Sequence, residues 1–415
     1  MHANLKPALQ NTVSGTTAAR ELGKCVHCGF CNATCPTYQI LGDELDGPRG
    51  RIYLMKQYLE GESDADAVFP HIDRCLTCRA CETTCPSGVT YSSLLDVTKA
   101  QLAQDKVAPF KQLWRHVLIG FMQSRALFGL AIACGRLMRP LLPRSVQQRV
   151  PLARATGSVP AVRHPQQVLL LKGCVQPALN GGIDAATLRV LDSLQISCLE
   201  IQDSGCCGAM HLHYGSHDKG LAQVRRNIDA WEPLLDQVTA ITNNASGCGI
   251  TVKDYGRLLA HEPDYAVRAA RISELFRDVS ELVNEQLALL KKQIPPLKAR
   301  ASFQAPCTLQ HGLKSRHTVV HLLRTLGADV LEPRDAHLCC GSAGMYSITQ
   351  PELSSTLRDQ KLATLKETGG QIILTANIGC QMHLQSGTEQ IVLHWIEWLD
   401  QHLQKSGQAH SMEAG

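Results

Sequence analysis

The spacing of apolar positions changes its period along the chain, and each change predicts a different kind of element. Gly47-Pro48 is a helix-start signal, and Ile52, Leu54, Met55, Tyr58 and Leu59 then recur at helical spacing. Residues 108–142, "APFKQLWRHVLIGFMQSRALFGLAIACGRLMRPLL", are apolar throughout except where Arg115, Arg125, Arg136 and Arg139 interrupt them. The longest uncharged run there is about ten residues, too short to span a bilayer. This segment predicts a pair of helices packed on a neighbouring domain or a partner subunit. The alternating stripes and arginines also suit a helix lying on a membrane surface. The prolines and glycine of "PLLPRSVQQRVPLARATGSVPAVRHPQQ" mark a linker ending near residue 166.

Beyond the linker, short apolar runs alternate with helical stretches. "QVLLLKGC" reads as a buried strand, "DAATLRVLDSL" as a helix and "SCLEI" as a strand. A helix around 217–235 and the strand "AITNNASGC" follow, and the order then recurs, ending in "GGQIILTANIGC". Strands alternating with helices predict parallel sheets. The expected fold class is therefore α+β and α/β. A mostly helical N-terminal domain covers 1–105, a helical segment and linker 106–166, and a duplicated α/β domain has halves at 167–295 and 296–405.

Composition narrows the function. Charged residues make up 19% of the 415 positions, and the net charge of +4 points neither to a nucleic-acid binder nor to an acidic tail. Aromatics, at 5%, are too sparse for a base-stacking surface. "MHANLKPALQNTVSG" has no apolar signal-peptide core, so a cytoplasmic location is expected, with peripheral contact on the inner face of the membrane as the alternative use of the 108–142 helices. The 18 cysteines change the picture most. A chain this long needs no disulfide staples, and thiols grouped in short repeats are read as metal ligands.

Eight of them form two runs of the type C-x2-C-x2-C-x3-C-P: Cys25, Cys28, Cys31, Cys35 with Pro36, and Cys75, Cys78, Cys81, Cys85 with Pro86. This is the ferredoxin pattern for 4Fe-4S clusters, in which the fourth cysteine of each run serves the other cluster. One cluster is thus assigned to Cys25, Cys28, Cys31 and Cys85, the other to Cys75, Cys78, Cys81 and Cys35. Zinc, which takes two separated pairs of ligands, fits such runs poorly. Gly29 and Gly88 allow backbone N–H groups to approach cluster sulfur. Arg49 and Arg51 sit in the first turn of a helix, the wrong end for its dipole. They read either as groups near an anionic cluster or acidic partner, or as plain solvated arginines.

Eight more cysteines fall into an internal repeat. Cys174, Cys206-Cys207-Gly208 and Cys248 are matched 132 or 133 residues later by Cys307, Cys339-Cys340-Gly341 and Cys380. Each follows a predicted strand, so each set of four is expected at one sheet edge, as a further metal or iron-sulfur (or zinc) centre, with free thiols or a redox disulfide as the alternatives. If only one set is filled, the second is preferred, since His311 and His383 lie near it in sequence. Cys134 and Cys198 stand outside the repeats and are expected to be small buried hydrophobes. His211, His213 and His217 cluster without a partner acid. No G-x-G-x-x-G follows a strand, so no dinucleotide fingerprint is visible.

Two ferredoxin motifs, a linker and two CCG domains, together with "CVHCGFCNATCPTYQILGDELDGPRGRIYLMKQYLEG", "DRCLTCRACETTCPSGV", "SGCCGA", "APCTLQH", "HLCCGSAG" and "TANIGCQMHL", resemble the iron-sulfur subunits that serve flavin dehydrogenases of hydroxy acids and glycerol phosphate. The likeness is to the bacterial glycolate oxidase type, with kin among heterodisulfide reductase subunits. It covers nearly the whole chain and is weakest over 1–20 and 105–165. It implies that separate FAD-containing subunits oxidise glycolate to glyoxylate, or D-lactate. This chain would pass the electrons through its 4Fe-4S clusters toward a quinone-type acceptor, and alone would hold no FAD and oxidise no substrate. The other reading is a catalytic quinone- or disulfide-reducing subunit. In relatives with a non-cubane cluster the last CCG motif is C-x-x-C; here Thr251 and His383 stand at its final position, leaving four cysteines per half. His311 and His383 are then candidates for a fifth ligand or a proton relay.

Overall fold

The computed structural model describes residues 2–413 except 106, 144–146, 148–149 and 202, with side chains as far as residue 406. The chain forms two compact units. The first joins residues 1–120 to two later excursions, 208–222 and 337–357; the second holds the rest.

The first unit is helical. Helix α1 (Val13–Lys24) starts where the Thr12 side chain accepts from the Gly15 N–H. Helix α2 (Pro48–Glu60) opens on a proline and stops at Gly61, whose φ of 82° only glycine adopts without strain. The five apolar positions read from the sequence, Ile52, Leu54, Met55, Tyr58 and Leu59, are all buried. They pack with residues of α1, of α3 (Ala65–Asp73) and of α4 (Tyr91–Gln104) in one core. The sequence places the end of this domain at 105, whereas the compact unit runs on to Gly120 and takes in the two excursions. Specific polar contacts hold them: Lys99 Nζ donates to the His213 carbonyl at 2.8 Å, the Tyr346 hydroxyl to the Arg74 carbonyl at 3.0 Å, and Gln350 Nε2 to Asp73 at 2.9 Å.

The predicted helix pair exists as α5 (Pro109–Gln123) and α6 (Arg125–Met138). Both are amphipathic with their usual polarity reversed. On α5, Arg115 and Ile119 are buried, with Arg115 Nη2 2.7 Å from the Asp73 carboxylate, while Phe110 (82% exposed), Leu113, Trp114 and Val117 face outward. On α6, which lies in the second unit, Arg136 donates inward to the Leu179 carbonyl at 2.9 Å, and Leu127, Leu130 and Leu137 are exposed. Cys134 is exposed too, contrary to its expectation as a buried hydrophobe, because α6 buries little beyond Phe128; Cys198 is buried as expected.

The second unit contains two four-stranded, all-parallel sheets. Strands β1 (Gln166–Leu170), β2 (Ile196–Leu199), β3 (Ala240–Asn243) and β4 (Phe276–Asp278) lie in the order β2-β1-β3-β4. Strands β5 (Arg300–Gln304), β6 (Asp329–Leu331), β7 (Ile372–Thr375) and β8 (Val392–His394) repeat it as β6-β5-β7-β8. The repeat of the cysteines is thus a repeat of topology. One hydrophobic core, including Val168 and Leu191 from the first half and Phe303 and Trp395 from the second, is shared by both.

Candidate metal centres

The two ferredoxin-type loops trace the same path. The second and fourth residues after the first cysteine take positive φ in both: His27 (56°) and Gly29 (81°), then Thr77 (54°) and Arg79 (61°). These left-handed residues curl the loop so that its thiols turn to one side. At Gly29 a Cβ would meet the Arg49 guanidinium at 2.6 Å, so that side chain would have to swing aside.

Cys25, Cys28, Cys31 and Cys85 line one pocket with Pro48, Ile52 and Val89, and Cys81 lines it too. Burial pushes the Cys31 thiol up to about 11, and Cys25, Cys28 and Cys85 add to it. In the second loop, burial pushes Cys81 well up, with Cys78, Cys75 and Cys35 among the groups that add to it. So the fourth cysteine of each run stands with the first three of the other. None of the eight is in a disulfide. Four thiolates crowded into a desolvated space repel one another unless cations lie among them, so these sulfur-only sets fit iron.

Arg51 adds a buried positive charge on one side. Its Nη1 lies 3.9 Å from Cys35 Sγ and 3.0 Å from Thr37 Oγ1, its Nη2 3.3 Å from Asp46, and its Nε donates to the His71 carbonyl at 2.7 Å. The Tyr91 hydroxyl donates to Cys75 Sγ at 3.8 Å. Arg49 is partly exposed on a 2.7 Å ion pair with Glu44. Both arginines thus lie near candidate ligands, Arg49 on the wall of the pocket of Cys25, Cys28, Cys31 and Cys85 and paired with Glu44, Arg51 buried beside Cys35.

In the second unit Cys174, Cys206, Cys207 and Cys248 converge. The thiol of Cys206 beside it, then burial, pushes Cys174 well up, with Cys248 adding; Cys206 and Cys248, then burial, do the same to Cys207. Cys248 is on the first helical turn of α7 (Ser246–Lys253), directly after β3. Gly208 closes the Cys-Cys-Gly turn at φ 94°. Three residues outside the cysteine motifs brace this turn. Asn227 Nδ2 donates to the Cys206 carbonyl at 3.0 Å, Tyr255 OH to the Cys207 carbonyl at 3.1 Å, and Trp231 Nε1 to Ser204 at 2.6 Å. Their only sequence signal is that two belong to a small set of aromatics.

Of the second CCG set, Cys307 and Cys380 lie in this unit, while Cys339 and Cys340 fall in the 337–357 excursion of the first. Cys380 repeats the placement of Cys248, in the first turn of α8 (Ile378–Gln385), where Asn377 Nδ2 donates to its Sγ at 3.6 Å. Gly341 repeats Gly208 with φ 88°, and its N–H donates to Cys339 Sγ at 3.4 Å. His311 is half-buried in the turn Thr308–Gly312, and His383 sits in the last turn of α8.

These arrangements match known families. A 4Fe-4S dicluster domain matches residues 21–89, and a cysteine-rich CCG domain matches 168–253 and 301–385. The glycolate oxidase iron-sulfur subunit of Escherichia coli (strain K12) is 45% identical over 98% of this chain and 100% of its own length. The chain belongs to the family of glycolate oxidase iron-sulfur subunits. A probable member from Bacillus subtilis (strain 168) is 32% identical over 92% of each chain, and lactate utilization protein A of Bacillus licheniformis is 22% identical over 52% of this chain and 90% of its own. As a member, the chain is an electron-transfer subunit of an oxidoreductase, carries iron-sulfur clusters and works with other subunits. Among the described residues no single helix is long and apolar enough to cross a membrane.

Proposed function

We propose that this subunit takes electrons from FAD-containing partners that oxidise glycolate to glyoxylate, and D-lactate likewise, and delivers them toward a quinone. Two 4Fe-4S clusters would be held by Cys25, Cys28, Cys31 and Cys85, and by Cys35, Cys75, Cys78 and Cys81. The observation that carries this is the crossed grouping of the two cysteine runs in one small unit. Each cluster, when bound, accepts and releases one electron at a time. The protein's own part is to keep the site dry with Pro48, Ile52 and Val89, to shape the loops through His27, Gly29, Thr77 and Arg79, and to set charge with Arg51.

The CCG cysteines support a further metal or iron-sulfur centre at Cys174, Cys206, Cys207 and Cys248, and a second at Cys307, Cys339, Cys340 and Cys380. The outward apolar faces of α5 and α6 support docking on an anionic membrane surface. From residue 106 to 183 the chain has no Asp or Glu and 11 Lys and Arg, so nothing in this stretch repels lipid phosphate. Iron and acid-labile sulfide analysis with EPR on the anaerobically purified complex tests the cluster reading. Fewer than about eight iron atoms per subunit would sink it. Flotation with anionic vesicles tests the docking, and a Leu113→Glu, Leu130→Glu variant that floats like the wild type would refute it.

A further inference from the structure

Behind helix α5 the first unit has a recess against Cys75. Phe69, Ile72, Leu76, Leu102 and Ala103 give it apolar walls, and Asp73, Lys99, Arg115, His213, Tyr214 and Tyr346 are among its polar groups. Most of these are already engaged. Arg115 is paired with Asp73 at 2.7 Å, and its guanidinium carbon stands 5.1 Å from the Tyr214 ring centroid. The Tyr346 hydroxyl is turned to the Arg74 carbonyl. Lys99 brings three N–H donors and gives one to the His213 carbonyl at 2.8 Å.

We infer that this recess binds the head group of a quinone, an inference that rests on the acceptor reading above. A slot with apolar walls and a few placed donors suits a flat, uncharged ring whose carbonyl oxygen accepts from Lys99. A short hydroxy acid has little apolar surface to bury there, and the nearest guanidinium is already neutralised by Asp73. Cys75, a candidate cluster ligand, lines the same recess, so a bound ring lies beside the electron source. Gln112 and Arg115 of α5 form part of the wall, while Phe110, Leu113, Trp114 and Val117 of the same helix face outward, toward the proposed membrane where a lipid-soluble quinone resides. A bound quinone takes up two electrons and two protons to become a quinol, which balances the two electrons and two protons that leave a hydroxy acid as it becomes a keto acid.

Photolabelling of the intact complex with an azidoquinone, mapped by mass spectrometry, should mark peptides containing Phe69–Thr77, Lys99–Ala103 or Tyr214. By calorimetry, binding of a redox-inert 4-hydroxyquinoline N-oxide should weaken about tenfold or more in Ala103→Phe, which fills the recess, and severalfold in Lys99→Gln. Iron and sulfide content at the wild-type level shows that a variant is folded. If Ala103→Phe loses iron, Lys99→Gln and the wild-type labelling decide. Label confined to other segments, or unchanged affinity in a fully loaded variant, overturns the site while leaving quinone reduction by the complex intact. A complex that reduces no quinone overturns the acceptor reading and this site with it.

Discussion

Replacing Arg51 with glutamine should lower the reduction potential of the cluster proposed at Cys35, Cys75, Cys78 and Cys81. Arg51 is fully buried with Nη1 3.9 Å from Cys35 Sγ, so water screens it little. With the added electron spread over a cube beyond that sulfur, the charges lie about 6 Å apart, and an effective dielectric of about 20 gives about 2.8 kcal/mol. For a one-electron couple that is about 120 mV. Asp46 offsets part of the guanidinium charge at 3.3 Å but is itself shared with Arg74 at 2.7 Å. The expected net shift is about 50–120 mV downward. Arg51→Lys, which keeps the charge, should shift it far less, and Arg51→Gln with Asp46→Asn should recover part of the loss by removing the carboxylate that Arg74 alone would otherwise offset. EPR-monitored redox titration reads both clusters, and the one proposed at Cys25, Cys28, Cys31 and Cys85 serves as internal control. An Arg51→Gln protein with full iron content and an unshifted or raised potential would show that this arginine is structural only.

Cys28→Ser or Cys78→Ser should each remove roughly four iron atoms and stop electron delivery to a quinone analogue, while the substrate still reduces the partner's flavin; quinone reduction at the wild-type rate would refute the relay. If the CCG thiols hold a centre, iron clearly exceeds the roughly eight atoms of two cubanes, or zinc is present, and Cys206→Ala or Cys339→Ala lowers that excess without altering the ferredoxin-type EPR signals; wild-type protein with only two cubanes' iron and no zinc excludes the centre. Burial pushes the Asp278 carboxyl up to about 6 from 3.8, so the stability it contributes is complete below 3.8 and lost as pH rises through 6. Asp278→Asn keeps an acceptor for the Ser280 N–H and should slow hydrogen exchange in the helix Val279–Glu285 at pH 7.5, by up to about 3 kcal/mol, with the gain shrinking toward pH 4.5; equal exchange at pH 7.5 would count against it.

The parts legible in the sequence are those where chemistry dictates spacing. A C-x2-C-x2-C-x3-C-P run has few uses, and an offset of 132 or 133 residues between matching cysteines can only be a duplicated fold, which the matching strand orders show. The buried stripe on α2 was legible because helical period needs no partner to be recognised. What was hidden depends on contacts between distant positions. Nothing around Tyr346 or Gln350 announces that they bond to Arg74 and Asp73 more than 270 residues earlier. Arginine interrupting an apolar run reads as an outward charge, yet Arg115 points inward because Asp73 waits there, and the apolar side is left outside. The same blindness misplaced Cys134.

The composition of the first unit also sets a clock. Its opening 120 residues leave the ribosome early, but the segment carrying Cys339, Cys340 and Tyr346 comes roughly 220 residues later, a delay of about 10–45 s at usual rates of synthesis. Throughout that interval the eight ferredoxin-type cysteines stand on a unit that still lacks its last segment. The recess beside Cys75, which takes Ala343 and Tyr346 from that segment, is therefore complete only when the chain is almost finished. A transcript truncated before residue 337 would yield a protein that has every ferredoxin-type cysteine and lacks the Ala343 and Tyr346 wall of that recess.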